Sequence, residues 1–443
     1  MANLLEAMVA EMAPAPQTDT AASQSPDPDV LSAWVKGQAL NSTRHAVALR
    51  PFTFKEFGTS IAAPSEGHIG AVNQLIGGLR AELMKRTARM RTAAKIATGD
   101  PNTPNLQKLL RHKEYTHHAV QAAERIWDFY LELFGQRQSP YGEWLVGCDR
   151  IALDCYQAMY MGIGVARSIP APPPFSYMRT GFSPATFRRG IYLRRLGQRN
   201  PFPLVQLPYH RLVNPWTLGA VLHELSHNLQ SDLSLSRVIP LEIGRRLLKA
   251  GMPAEVARTW VRWNRETYAD INGLLLGGPS IVASLMDVLG RSPETVTRYS
   301  PQGPHPTPRL RTLISIELLR RMGFVDQAKH YHRAWGKMYP VSQRGNIPLS
   351  VWKTFPQANR IVVDAIAYRP YKELGGKSLA QVTGFNSHHQ VMIEEAATRL
   401  AASNDPGVVP ARFLIGAARV ALDRKLARPN VIAKNFYQEL ARR

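Results

Sequence analysis

Cysteine is nearly missing from the 443 residues. Cys148 and Cys155 are the whole complement, too few for a disulfide framework. Seven positions apart on a helix, they would stand about 10 Å from each other, beyond bridging distance. A reducing compartment, the cytoplasm, is therefore expected. Long apolar runs are missing as well. The longest candidate, residues 271–290, is interrupted by Asn272, four glycines, a proline and Asp287. It falls short of the roughly 18 clean apolar residues of a membrane-crossing helix, so no membrane span is expected. No Lys or Arg precedes Lys36, and Glu6, Glu11, Asp19, Asp27 and Asp29 occupy the stretch before it. That excludes a secretory n-region and an Arg-rich transit peptide, and leaves delivery by a non-standard route open. No repeat with a period of about 20–50 residues is visible. Asp and Glu are absent altogether from residues 155–222, where Arg167, Arg179, Arg188, Arg189, Arg194, Arg195, Arg199 and Arg211 lie.

What the chain has in excess is positive charge. Fifty-five Lys and Arg against 33 Asp and Glu give +22, a field that attracts nucleic acid, anionic membrane or acidic protein. An apolar share of 44% with 33 prolines and 31 glycines is that of an ordinary globular chain, not of a collagen-like or wholly disordered one. Leu4, Leu5, Met8, Val9 and Met12 fall at helical spacing, followed by the linker-like run APAPQTDTAASQSPDPD. The five acids of residues 1–35 leave +27 on the remainder, so this head could fold back on a basic surface or be engaged by another component. Composition and periodicity divide the chain into a flexible acidic segment over 1–50, a helical domain over 51–150, a core over 151–322 and a C-terminal helical region over 323–443.

Residues 70–134 carry two helical stripes separated by the turn sequence TGDPNTPN. Arg80, Lys85, Arg86, Arg89, Arg91 and Lys95 interleave with the first stripe, as a solvated face or a phosphate-binding one, without the aromatic ladder of a single-strand binder. After the turn run PAPPPF, residues 190–193 and 202–207 read as short strands. Prolines 201, 203 and 208 suit the second to a sheet edge.

Directly after that strand comes NPWTLGAVLHELSHNLQSDL, in which His223, Glu224 and His227 form H-E-x-x-H inside a helix-compatible stretch. One helical turn apart, two imidazoles can take adjacent positions on a tetrahedral zinc, with Glu224 beside them to handle a proton. By composition the motif would arise by chance in roughly 2% of chains this long, so a third ligand is required. Gln230 and Leu233 stand where a metzincin has Gly and His, which rejects that class. Glu266, in RETYADINGLLL, would complete a site of two His and one Glu, open at its fourth position. Asp270, one turn on, could accept from the non-coordinating nitrogen of a ligand histidine, or with Glu266 form a surface pair beside Arg262 and Arg265. His305, in GPHPTP, and Arg311, at the start of a helical stripe, are a turn histidine and a helix-start arginine by spacing alone. Near a cleft they would stabilise an oxyanion.

The order H-E-x-x-H, R-E-x-x-A-D (Arg265 to Asp270) and H-P-x-x-x-x-R (His305 to Arg311) resembles gluzincin peptidases of the CaaX-prenyl-protease and heat-shock-protease type, over about residues 200–320. The resemblance implies His223, His227 and Glu266 as ligands of one zinc per chain and Glu224 as general base and acid. It implies Asp270 behind a ligand histidine, and His305 with Arg311 as transition-state contacts. The membrane helices of that group are missing here. The expected fold is mainly α (α+β), a zincin-like catalytic core with a small mixed sheet and helical additions at both ends. The expected function is that of a soluble zinc metalloendopeptidase acting on protein or peptide substrate, acidic in view of the neighbouring arginines. Two alternatives stand beside it: a basic nucleic-acid-binding or assembly scaffold with a non-catalytic zinc site, and a latent or delivered protease with residues 1–35 as inhibitory or targeting segment.

Overall fold

The computed structural model describes residues 30–164, 169–181, 184–193 and 197–443. The acidic head 1–29 lies outside the described residues, as do Arg167, Arg194 and Arg195 of the acid-free stretch. The architecture is mainly helical, with a small mixed sheet. Contacts divide the chain into two compact units, Met1–Leu49 with Arg80–Gln121, and Arg50–Leu79 with Ala122–Arg443. This cuts across the four segments read from composition. Residues 51–150 are shared between the units, while 151–322 and 323–443 fall in one.

The first unit holds α1 (Val30–Ala48) and parts of α2 (Glu66–Gly99) and α3 (Thr103–Gly135), the last two broken from each other at the expected turn. Its core is small because alanines build it: Ala39, Ala93, Ala94 and Ala97 pack around Val35, Met90 and Leu109.

The second unit is built around α4 (Gly142–Ile163), in which both free cysteines are buried. Five short strands follow: β1 (Phe175–Met178), β2 (Ala185–Phe187), β3 (Tyr192–Leu193), β4 (Gln198–Arg199) and β5 (Leu204–Leu207). β3 and β4 form a separate antiparallel pair. The main sheet has the order β1-β5-β2, with β5 parallel to β1 and antiparallel to β2. The segment expected at a sheet edge is thus the central strand. Its prolines bracket Leu204–Leu207 and do not interrupt it, which leaves both sides of the strand able to pair, and Leu204, Val205 and Leu207 are fully buried. The edges are β1 and β2 instead.

Helices α5 (Gly219–Asp232), α6 (Leu235–Lys249), α7 (Ala254–Gly277), α8 (Ser280–Leu289), α9 (Pro308–Arg321), α10 (Val325–Met338) and α11 (Leu349–Val363) complete the middle of the unit. Then α12 (Ser387–Ala401), α13 (Phe413–Asp423) and α14 (Pro429–Arg442) return to the core. Arg412 shows how firmly this last region is joined. It pairs with Asp154 of α4 at 2.9 Å and donates to the carbonyl of Leu276 in α7 at 3.0 Å. Among the described residues no helix is long and apolar enough to cross a membrane; the apolar run 271–290 is split between α7 and α8 at Gly278 and Pro279.

Two helices carry the H-E-x-x-H motif and its downstream carboxylates. On α5, Val221, Leu222, Leu225 and Leu229 form the buried stripe. On α7 every residue from Trp263 to Gly277 except Arg265 is buried, so this is a core helix on all faces. The backbones approach closely at Gly273, where a Cβ would already lie 3.4 Å from the His223 nitrogen. Asn272 Nδ2 donates to Ser226 Oγ at 2.8 Å across the same interface, and that hydroxyl donates to the Leu222 carbonyl. Replacing Asn272 with Ala should lower the unfolding free energy by about 1–3 kcal/mol. Urea unfolding measures it, and an unchanged midpoint would remove this bond from the account of how the helices are held.

Candidate metal centre

The structure brings His223, Glu224 and His227 of α5 together with Glu266 and Asp270 of α7, Arg311 of α9 and His305 from the turn before α9. One ligand atom each from His223, His227 and Glu266 lie within 4.8 Å of one another. His223 Nε2 stands 3.3 Å from Glu266 Oε2, and His227 Nε2 stands 3.4 Å from Glu266 Oε1. The two distances run to different oxygens of Glu266, and two imidazoles with one carboxylate are a donor set that suits a divalent ion such as zinc. Helix geometry produces this arrangement: residues four apart on α5 face α7, and the 38 residues between the motif and Glu266 include α6, which returns the chain to the same place.

Asp270 Oδ1 lies 2.8 Å from His223 Nδ1, an ion-pair contact on the side of the ring opposite the Nε2 that stands 3.3 Å from Glu266. Arg311 donates from Nε and Nη2 to the two oxygens of Asp270, both at 2.7 Å. Its fork is committed to Asp270 and lies 3.9 Å from Glu266, which makes it a positioning residue for the His223 partner. His305 differs: its side chain is 58% exposed and its Nε2 reaches Glu266 Oε2 at 3.2 Å from the cavity mouth. Arg262 holds that turn by donating to the Gly303 carbonyl at 3.3 Å.

Burial and charge pull like groups apart. Burial acts on His223 to lower its pKa, but Asp270 and Glu266 overcome it and raise the imidazole to about 9. His227 goes the other way, to about 3, through burial and then through the charge on His223. Burial raises the Glu224 carboxyl to about 7, helped by Glu266 and opposed by His223, Arg265 and Arg311. Glu266 is buried too, yet its contacts with His223 and His305 hold it far below the usual carboxylate range. Burial would also raise Asp270, but Arg311 and His223 keep it depressed.

These groups line a cavity of about 430 Å³. One wall is β2, where Thr186 Oγ1 donates to the Glu224 carbonyl at 2.9 Å. An apolar part of the lining comes from Leu274, Ile281, Val282, Leu285 and Val288. Neither was foreseen. A three-residue strand is too short for alternation to mark, and the apolar run that supplies this lining reads in sequence only as a failed membrane span. The described arginines of the acid-free stretch do not line the cavity; Arg265 and Arg311 do. The chain matches no protein-family model, no curated protein and no solved structure.

Two expectations follow. Arg311→Met should cost about 3–5 kcal/mol of stability in urea unfolding, because it leaves the buried Asp270 carboxylate with His223 as its one remaining cationic contact. A loss within experimental error would show that His223 alone compensates that charge. If these residues take up zinc, uptake should depend on pH, because the His223 proton, held up to about pH 9, must leave before the ring can ligate. Affinity should therefore rise about tenfold per pH unit between about 7 and 8.5, with about one proton released per ion. Calorimetry in buffers of different ionisation heat reads this directly, and a flat profile would contradict it.

Proposed function

We propose that the chain is a soluble, zinc-dependent metalloendopeptidase whose zincin-like core lies within residues 151–322. The observation that carries the reading is the joint one: a His223, His227 and Glu266 donor set beside the Glu224 carboxyl, opening on a cavity large enough for a peptide segment. Zinc bound there would supply a Lewis acid for water and for the scissile carbonyl. Glu224 takes a proton from the attacking water and returns it to the departing amine, and a carboxyl with its pKa near 7 can do both at neutral pH. Asp270 and Arg311 keep the His223 ring oriented. His305, exposed at the mouth, is placed to donate to the developing oxyanion as the carbonyl becomes tetrahedral.

Substrate is held in extended form along β2, whose only strand partner among the described residues is β5. Strand addition on that edge would bind backbone with little regard for side chains. The apolar part of the lining receives one side chain beside the scissile bond, and Arg265 at the cavity favours acidic neighbours. Two free, buried cysteines agree with work in the cytoplasm.

Elemental analysis of wild type and Glu224→Gln, each also incubated with denatured casein, tests the reading. The expected outcome is about one zinc per chain in both proteins, with cleavage by the variant reduced about 10²–10⁴-fold. No stoichiometric metal in either protein would sink the catalytic reading.

A further inference from the structure

A second concave site lies in the same unit and shares no residue with the metal cavity. It is a groove of about 700 Å³ between α9, α10 and α11. Leu313 and Ile316 of α9, Ala328 of α10 and Phe355 of α11 give it an apolar floor. Each helix also brings cations to the groove: Arg320 on α9, Lys329 and Arg333 on α10, Arg360 on α11. A folded chain ordinarily covers such a floor, and an apolar concavity rimmed by charge marks an interaction site.

The charge is unbalanced. Glu317 is the one carboxylate lining the groove, and Arg320 already holds it with two hydrogen bonds at 2.9 and 3.1 Å. Lys329 faces exposed Asp326 at 3.4 Å, a surface contact worth little. Arg333 and Arg360 have no carboxylate partner among the described residues. Next door, Arg320 and Arg360 also line a concavity with Arg245, Arg246, Lys249 and Arg321, where Glu317 and Asp364 are the carboxylates and Arg246 and Arg321 both pair with Asp364.

We infer that this groove docks an acidic amphipathic helix of a partner protein, its apolar stripe on the Leu313, Ile316, Ala328 and Phe355 floor and its Asp or Glu flanks against Lys329, Arg333 and Arg360. The distribution of the cations decides between ligands. Lys329 and Arg333 on α10 and Arg360 on α11 line the groove together with its apolar floor, while Arg320 on α9 is taken by Glu317, and cations shared between two helices match a helix that carries carboxylates beside its apolar face. An acyl lipid would need its cations gathered at one end. A nucleic-acid strand would want several stacking aromatics, and Phe355 is the one Phe, Tyr or Trp that lines the groove.

The test is selection of a phage-displayed random peptide library on the full-length protein, with the Val325→Glu variant as counter-selection. Val325 lines the groove and is 41% exposed, so the added carboxylate leaves the core intact while repelling an acidic ligand. Enriched sequences should carry apolar residues at i, i+3, i+4 and i+7 with Asp or Glu beside them. The best of them, made synthetically, should bind in fluorescence anisotropy with an affinity that falls as salt rises and drops about tenfold in Lys329→Glu and Arg333→Glu. Circular dichroism melting of each variant checks that the fold is kept. No enrichment over the Val325→Glu protein, enriched sequences that are basic or lack the spacing, or binding indifferent to both charge reversals would each overturn the inference. So would groove-dependent flotation with phosphatidylserine vesicles, which would make the ligand a lipid surface, or groove-dependent dimerisation in sedimentation, which would make it a second copy.

Discussion

Burying two carboxylates on a core helix is the constraint around which this protein is arranged. Glu266 and Asp270 sit on α7 where it is enclosed on nearly every face, and an uncompensated ion in such a place costs several kcal/mol. Compensation comes from three directions: the two imidazoles of α5, the guanidinium at the start of α9 and the histidine of the preceding turn. Each contact also fixes an element. The close approach of α5 and α7 at Gly273 and the tie from Asn272 to Ser226 bring the imidazoles within reach, and the Arg311 fork sets where α9 can lie.

The same cluster separates groups that start out alike. Glu224 and Glu266 are both shielded carboxyls around the same two histidines, yet one titrates near neutrality and the other stays ionised far below it. The difference lies in partners: Glu266 touches His223, His227 and His305, whereas Glu224 feels its cations only at a distance. One carboxylate is suited to hold charge permanently and the other to exchange a proton, a division of labour that neighbours impose on identical side chains.

Much of this was legible in the sequence. Helical spacing placed His223 and His227 on one face, and the same period put Asp270 one turn beyond Glu266, so local geometry sufficed. The long helices and the turn near Asp100 were readable for the same reason. What failed involved partners far away in the chain. The prolines near Leu204 announced an edge strand, but whether a strand is central depends on which segments flank it, and β1 and β2 lie outside any local window. The bond from Arg311 to Asp270 spans 41 residues and lay outside any local window as well. The C-terminal helices read as an appendage, although Arg412 and Tyr437 reach back 258 and 225 positions to Asp154 and Leu212.

The scattering of the cluster along the chain also bears on synthesis. A nascent polypeptide that has emerged through α5 already displays both imidazoles, but the carboxylate opposite them is made only with α7, and the arginine that lets α7 bury its charge comes with α9. Arg412, which clamps the end of α7 to α4, is translated a hundred residues later still. A half-made chain therefore lacks a complete donor set, and a truncated product lacks the clamp. The complete cluster can thus assemble only from a chain made through α9, and the α4–α7 clamp only from one made through Arg412, so the order of synthesis sets the order in which these buried charges find their partners.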